Sequence, residues 1–328
     1  VKRSHLLATA CAATALLLTG CSSAQTGGSG SASSQDAATT VDVAVLGPGS
    51  LQWLHAIAKD QGFYDDHGVT VQDVQVQNSG ALVQAVASGS ADAGIALGDS
   101  VIKAVDQGAG VTITGALIQK PALRLYGGVG VTSAQDLAGA AVTAGATEGG
   151  TYDLLVHMLA EEGVDTSSLT PVAIANSSDR VTALGNGQVD GALLIPPFNS
   201  LATSQGATEL GWYDGYWLET PSVVNTAWAE ENPDAARGFT QGLADAAEFF
   251  ADPANEQAAV TSLVDYAGTT PEAAAAAYEF IQTNQIFSPD LDFPDEALTN
   301  VAAISAEVNG TDLSGWDVSK YYDKSYLG

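Results

Sequence analysis

Apolar and polar positions change period repeatedly along this chain. Val41-Asp42-Val43-Ala44-Val45-Leu46 alternates and then stops at Gly47-Pro48-Gly49, which predicts a strand entering a loop. Leu51, Leu54, Ile57 and Ala58 recur at helical spacing, and Gly62 marks the stop. Residues 69–76 read as a strand, 82–87 as a helix, 93–97 as a strand, 100–105 as a helix and 111–117 as a strand. Further on, 140–144, 169–174 and 208–213 read as strands, with helices opening after Gly149-Gly150-Thr151 and Pro196-Pro197. Such interleaving predicts α/β layers. From Pro233 the pattern turns helical, over 233–251, 253–266, 271–282 and 294–308. Each of these has Pro at or near its first turn, where the missing N–H costs little.

The pattern also repeats. Residues 81–97 (ALVQAVASGSADAGIAL) are echoed by 181–195 (VTALGNGQVDGALLI). In both, a helix ends at a glycine, Gly89 or Gly187. An aspartate follows three positions later, Asp92 or Asp190, and then an apolar strand. Glycine suits the helix C-terminus and aspartate the tight turn into a buried strand. Two copies about a hundred residues apart suggest two similar lobes.

The N-terminus has a different character. Lys2 and Arg3 precede an apolar run from Leu6 to Leu18, interrupted only by small residues, and the run ends at Leu18-Thr19-Gly20-Cys21. A charged start, a short apolar core and a small-residue cleavage site describe a secretory signal peptide over residues 1–20. Cysteine after small residues resembles the bacterial lipobox, which implies cleavage before Cys21 and a lipid on its thiol. Residues 21–40, rich in Ser, Gly, Ala and Thr, read as a flexible tether. Loss of Lys2 and Arg3 from the 10 basic residues, set against 38 acidic ones, leaves a charge of about −30. That charge excludes nucleic acid as a partner, because phosphate binding needs clustered Lys and Arg. Cys11 lies in the signal and Cys21 is the lipid site, so the mature chain has no disulfide and no zinc–thiolate site.

Taken in order, these segments resemble a known family. Gly62-Phe63-Tyr64 and Gly68-Val69-Thr70-Val71, the helix and turn from Gly80 through Asp92, Gly108 through Val111, and Ser133 through Gly139 (SxxDLxG) carry the likeness. So do Ala183-Leu184 through Asp190 (ALxxGxVD), Pro196-Pro197, and the helix at Pro233 with Phe239. The chain is similar to solute-binding lipoproteins of ABC importers, in the nitrate/sulfonate/taurine and thiamine-precursor (NMT1/THI5-like) group of type II periplasmic binding proteins. The resemblance implies a two-lobed α/β fold with a ligand cleft between the lobes and two crossover strands. The first lobe is expected over 41–126 and 219–328 and the second over 127–218, with crossings near 123–129 and 212–220. It also implies a monomer held on the extracytoplasmic face of the cell membrane. Its expected partners are a small solute and the transmembrane subunits of an ABC permease, and it needs no cofactor. The basic anchor common in the family is not identifiable from these motifs, and the scarcity of lysine argues against a lysine-lined anion site.

Candidate binding residues follow from the strand ends. In open α/β sheets ligands collect beyond the carboxyl ends of strands, where helix N-termini offer free N–H groups to anions. Three loops qualify: Gly47 to Ser50, Leu97-Gly98-Asp99-Ser100, and Ala146-Thr147-Glu148-Gly149-Gly150-Thr151. Aromatic side chains nearby can cover an apolar body: Trp53 and Phe198, expected to face each other across the cleft, then Tyr152 and Tyr126. Asn199 and Asn225 are candidates for directed hydrogen bonds. Glu148 and Asp99 can hold an ammonium group. The expected solute is a sulfonate, a carboxylate or a zwitterion such as taurine. The alternatives are a thiamine-precursor pyrimidine or other heterocycle, and a sensor role on a signalling receptor. Catalysis and metal binding are not expected. Gly-x-Ser-x-Gly is absent, and His55, His67 and His157 have no metal-ligand spacing.

Overall fold

The computed structural model describes residues 38–328. The expected signal peptide, the expected lipid site at Cys21 and most of the expected tether lie outside the described residues.

The first run comprises β1 (Thr39–Val45), α1 (Trp53–Gln61), α2 (Phe63–Asp66) and β2 (Val69–Gln75), followed by α3 (Ser79–Ala87), β3 (Ala93–Ile95), α4 (Gly98–Asp106) and β4 (Val111–Ile118). The second comprises β5 (Arg124–Gly127), β6 (Ala141–Thr143), α5 (Gly150–Glu161) and β7 (Thr170–Pro171), followed by α6 (Ser177–Gly185), β8 (Gly191–Leu194), α7 (Phe198–Ser204) and β9 (Thr208–Trp212). The chain closes with β10 (Thr220–Asn225), α8 (Thr226–Glu231), α9 (Pro233–Ala251), α10 (Glu256–Ala267), α11 (Pro271–Thr283) and α12 (Asp295–Asn309).

Two five-stranded sheets form, ordered β2-β1-β3-β10-β4 and β7-β6-β8-β5-β9. In the first, β1 runs parallel to β2 and β3, while β10 runs antiparallel to β3 and β4. In the second, β6 runs parallel to β7 and β8, while β5 runs antiparallel to β8 and β9. The two sheets therefore share one topology. In each, the lone antiparallel strand arrives from the other sheet. Val41, Val43, Ala44 and Val45 are all buried, as expected of a central strand covered on both faces. Gly94 in β3 allows α3 to lie close, since a Cβ there would stand 2.9 Å from Leu82 and 3.0 Å from Val86.

The sequence reading and the structure differ at the edges. β1 begins at Thr39 and pairs Thr39 and Thr40 with Val69 and Thr70, so two residues read as tether belong to a sheet. Residues 124–126, placed with the first lobe, pair with β8 and β9 in the second sheet. The chain passes between sheets at 119–123 and returns at 213–219 as irregular segments. These run beside each other, with the Trp217 N–H donating to the Gln119 carbonyl at 2.9 Å. The strand expected over 169–174 narrows to Thr170–Pro171, although the Val172 N–H still donates to the Val142 carbonyl and the Ile174 N–H to the Gly145 carbonyl, each at 2.8 Å.

Candidate functional site

A cleft of about 1750 Å³ lies where the carboxyl ends of the parallel strands face one another. Leu46 to Pro48 after β1, Asn78 after β2, and Asp99 and Ser100 at the start of α4 line it from one sheet. Gly145, Ala146 and Glu148 to Gly150 after β6, Asn176 before α6, and Ile195 and Phe198 after β8 line it from the other. Ser305 and Asn309 of α12 complete one side.

Six of the candidate residues line this cleft: Asp99, Ser100, Glu148, Gly150, Thr151 and Phe198. Seven others do not. Trp53 is the plainest correction. It is fully buried, donates its indole N–H to the Ala259 carbonyl at 2.9 Å, and packs edge-on against Phe250 and Phe287. Its helix turns that face toward α9 and α10, so Trp53 is core. Phe198 instead meets the first loop at Gly49, where a Cβ would lie 3.7 Å from its ring. Ser50 is buried beneath that loop. Thr147 is exposed outside the lining, and Tyr152 packs against the core. Asn199 sits in the first turn of α7, away from the lining. Asn225 caps α8, accepting from the Trp228 N–H at 2.9 Å and donating to the Val86 carbonyl at 2.8 Å. Tyr126 donates to Glu209 at 2.9 Å.

One expected anion point is already filled. The Asp99 carboxylate accepts the Gly150 N–H at 2.8 Å, so a side chain of the first lobe occupies the N-terminus of α5 in the second. A Cβ on Gly150 would stand 2.4 Å from that of Asp99, which is why glycine is needed there. Asp153, in the first turn of α5, ties the same helix to α12, accepting from Ser305 Oγ at 2.5 Å and Asn309 Nδ2 at 3.2 Å. Burial raises the Asp99 carboxyl above its ordinary range, against the pull of the Gly150 N–H. Burial likewise raises Asp153, and the carboxylates of Asp99 and Glu148 add to that.

Among the lining residues that the sequence does not single out, two stand apart by burial and charge: Arg180 and Glu219. Arg180, on α6, is 8% exposed. Its two terminal nitrogens donate to the carbonyls of Leu193 (2.5 Å) and Ala175 (2.9 Å), and its Nε has no partner. Burial pushes its pKa down to about 10, with Glu219 opposing. Glu219, on the returning crossing, is 1% exposed. Its Oε2 accepts the Ala122 N–H at 2.5 Å and its Oε1 has no partner. Burial pushes its pKa up to about 8, against the Ala122 N–H and Arg180. Among the described residues no ion pair joins the two. Buried polar atoms are normally satisfied, so these two orphans, on residues that line the cleft, call for an explanation.

Two lobes of matching topology around such a cleft define the periplasmic-binding-protein fold. The chain belongs to the NMT1/THI5-like family, whose model matches residues 55–257. Similar solved structures include the alkanesulfonate-binding protein SsuA from Xanthomonas axonopodis pv. citri bound to MOPS (TM-score 0.69, 16% identity, covering 88% of this chain and 96% of that one). The periplasmic aliphatic sulphonate-binding protein SsuA from Escherichia coli gives 0.64 at 16% identity, covering 88% and 91%. The periplasmic nitrate-binding protein NrtA from Synechocystis PCC 6803 gives 0.69 at 12% identity, covering 86% and 91%. No curated protein matches the sequence.

Proposed function

We propose that this chain is the solute-binding component of an ABC importer. In this reading it captures a small organic anion or zwitterion, a sulfonate or carboxylate such as taurine, and hands it to a membrane permease. It does so as a monomer held at the extracytoplasmic face by a lipid on Cys21, and it performs no chemistry. The lobes, 41–126 with 219–328 and 127–218 in the first reading, hinge about the paired crossings and close on the solute. The site residues proposed are Asp99, Ser100, Glu148, Gly150, Thr151 and Phe198, joined by Arg180 and Glu219.

The observation that carries the reading is Arg180. A guanidinium buried on the cleft wall, bonded only to carbonyls and with a free Nε–H, is an anchor for an anion. Phe198 can cover an apolar body, and Asp99 and Glu148 can meet an ammonium group. Those acids also favour a second reading, a pyrimidine-type heterocycle. Calorimetry with sulfonates, aromatic carboxylates, nitrate and pyrimidines separates the two. At least one anion should bind, and Arg180→Leu should abolish that binding. Tight binding of a pyrimidine with no response to any anion overturns the anion reading.

A further inference from the structure

Glu219 and Arg180 both line the cleft, and each carries one buried polar atom without a partner, Oε1 and Nε. The chemistry of the pair depends on where the Glu219 proton sits. Oε2 accepts the Ala122 N–H, which fixes that oxygen as an acceptor. Oε1 is bare. In an ionised carboxylate a bare, buried Oε1 would be an uncompensated charge, which is costly away from water. The Arg180 charge offsets that cost only in part, because it acts on Glu219 without an ion pair and its two terminal nitrogens each donate to a carbonyl. The inexpensive state is the neutral acid with its proton on Oε1. That atom is then a donor, and the wall offers two donors, the Oε1–H of Glu219 and the Nε–H of Arg180.

We propose that Glu219 binds the solute as a protonated acid, donating from Oε1 to an oxyanion whose charge is held by Arg180. This rests on reading the cleft as a solute site, and it narrows the solute to one with an ionised oxyanion head, sulfonate or carboxylate. The surroundings agree. Burial raises the carboxyl toward pH 8, so it stays largely protonated near neutrality. Arg180 from α6 is the charge acting on it. On α4, the Gly98 N–H donates to the Glu219 main-chain carbonyl at 3.2 Å, and Asp99 and Lys103 follow on that helix. On the outgoing crossing, Lys120 is taken up by Asp214 at 3.0 Å.

The sign of the proton linkage tests this. An anion that accepts from Glu219 favours its protonated form. Binding then takes up protons, and affinity falls as pH rises through about 8. An ammonium group held by an ionised Glu219 does the reverse. Arg180, with its pKa near 10, stays charged across the range. Butane-1-sulfonate, benzoate and taurine would be titrated by calorimetry from pH 6 to 9 in buffers of differing ionisation enthalpy. Wild type should take up protons near pH 8 and lose about tenfold in affinity between pH 7 and 9. Glu219→Gln keeps both an acceptor for Ala122 and an N–H donor at the other position. It should bind the same anions with a pH profile flat within about twofold. A flat or rising wild-type profile, or a folded Glu219→Gln that binds no anion, overturns the proposal and leaves the solute-site reading standing. If no anion binds at any pH, both fall.

Discussion

The two helix–glycine–aspartate–strand copies fold alike and are used differently. Asp92 accepts the Asp42 N–H in the middle of β1, and Asp190 accepts the Ala141 N–H at the head of β6, each at 2.9 Å. Both aspartates also return a main-chain bond, Asp92 N–H to Asp42 and Asp190 N–H to Ala141. Aligned on those aspartates, Leu82 of α3 corresponds to Arg180 of α6, and Gly94 of β3 to Ala192 of β8. Leu82 is fully buried in the first core. Arg180 is almost as buried, but its head lies on the cleft wall. One position thus serves packing in one lobe and charge in the other. A repeated frame can carry a binding group wherever one copy departs from the apolar rule.

The sharpest break of this comparison exchanges the two residues. Leu82→Arg would force an unpartnered cation into a dry core, at a cost of about 4–5 kcal/mol or more. It should unfold the protein or leave it insoluble. Arg180→Leu removes a buried charge that lacks a carboxylate partner, which is worth several kcal/mol, but it strands two carbonyls at about 1–3 kcal/mol each. The opposing terms should leave it within about 2 kcal/mol of wild type in urea unfolding while its anion binding disappears. If Arg180→Leu proves as damaging as Leu82→Arg, Arg180 is a fastener and the asymmetry between lobes has no functional meaning.

That asymmetry explains what could be read from the sequence. The α/β alternation, both copies and the long helix at Pro233 were legible, because local spacing, glycine stops and N-terminal prolines specify them. β5 is foreseen only through the resemblance, as a crossover near 123–129, and β10 not at all beyond its first residue, since their pairing partners are distant in the chain and each arrives from the other sheet. Trp53 misled for a related reason. Its spacing with Ile57 shows an apolar face but not whether that face meets core or cleft, and tertiary packing put it on α9 and α10. Arg180 reads as an ordinary polar helix position unless it is set against Leu82. Glu219 carries no local signal, because its burial comes from the crossings and α4 closing around it.

A smaller effect sharpens the comparison at the next layer. α3 lies so close to β3 that a methyl on Gly94 would meet Leu82 at 2.9 Å, Val86 at 3.0 Å and the Ala44 carbonyl at 3.3 Å. Ala192 already carries that methyl in the second copy and is fully buried. Gly94→Ala should therefore cost about 1–3 kcal/mol by overpacking. Ala192→Gly removes one buried methyl and adds backbone entropy to the unfolded chain, for about 1–2 kcal/mol. Thermal unfolding of the two variants measures both. A neutral Gly94→Ala would mean that α3 can back away from its sheet, and the close approach would not distinguish the lobes.

The smallest expected effect concerns the turn the copies share. Asp92→Ala and Asp190→Ala each delete one carboxylate that accepts a strand N–H. The bonds are equal in length but differ in setting. The Asp92 bond is partly buried, whereas the Asp190 bond is exposed. A stranded donor costs most where water cannot replace its partner. Burial also raises the Asp92 carboxyl above its ordinary range, against the pull of the Asp42 N–H. Asp92→Ala should cost about 1–2 kcal/mol, and Asp190→Ala, whose freed N–H can turn to solvent, about half of that. Urea midpoints at unchanged slope would show the difference. Equal losses would mean that the two turns are equivalent in energy as well as in geometry, which would confine the divergence of the lobes to the Leu82/Arg180 and Gly94/Ala192 positions. A larger loss at Asp190 would place the more critical turn in the lobe that carries Arg180, the reverse of the order expected from burial.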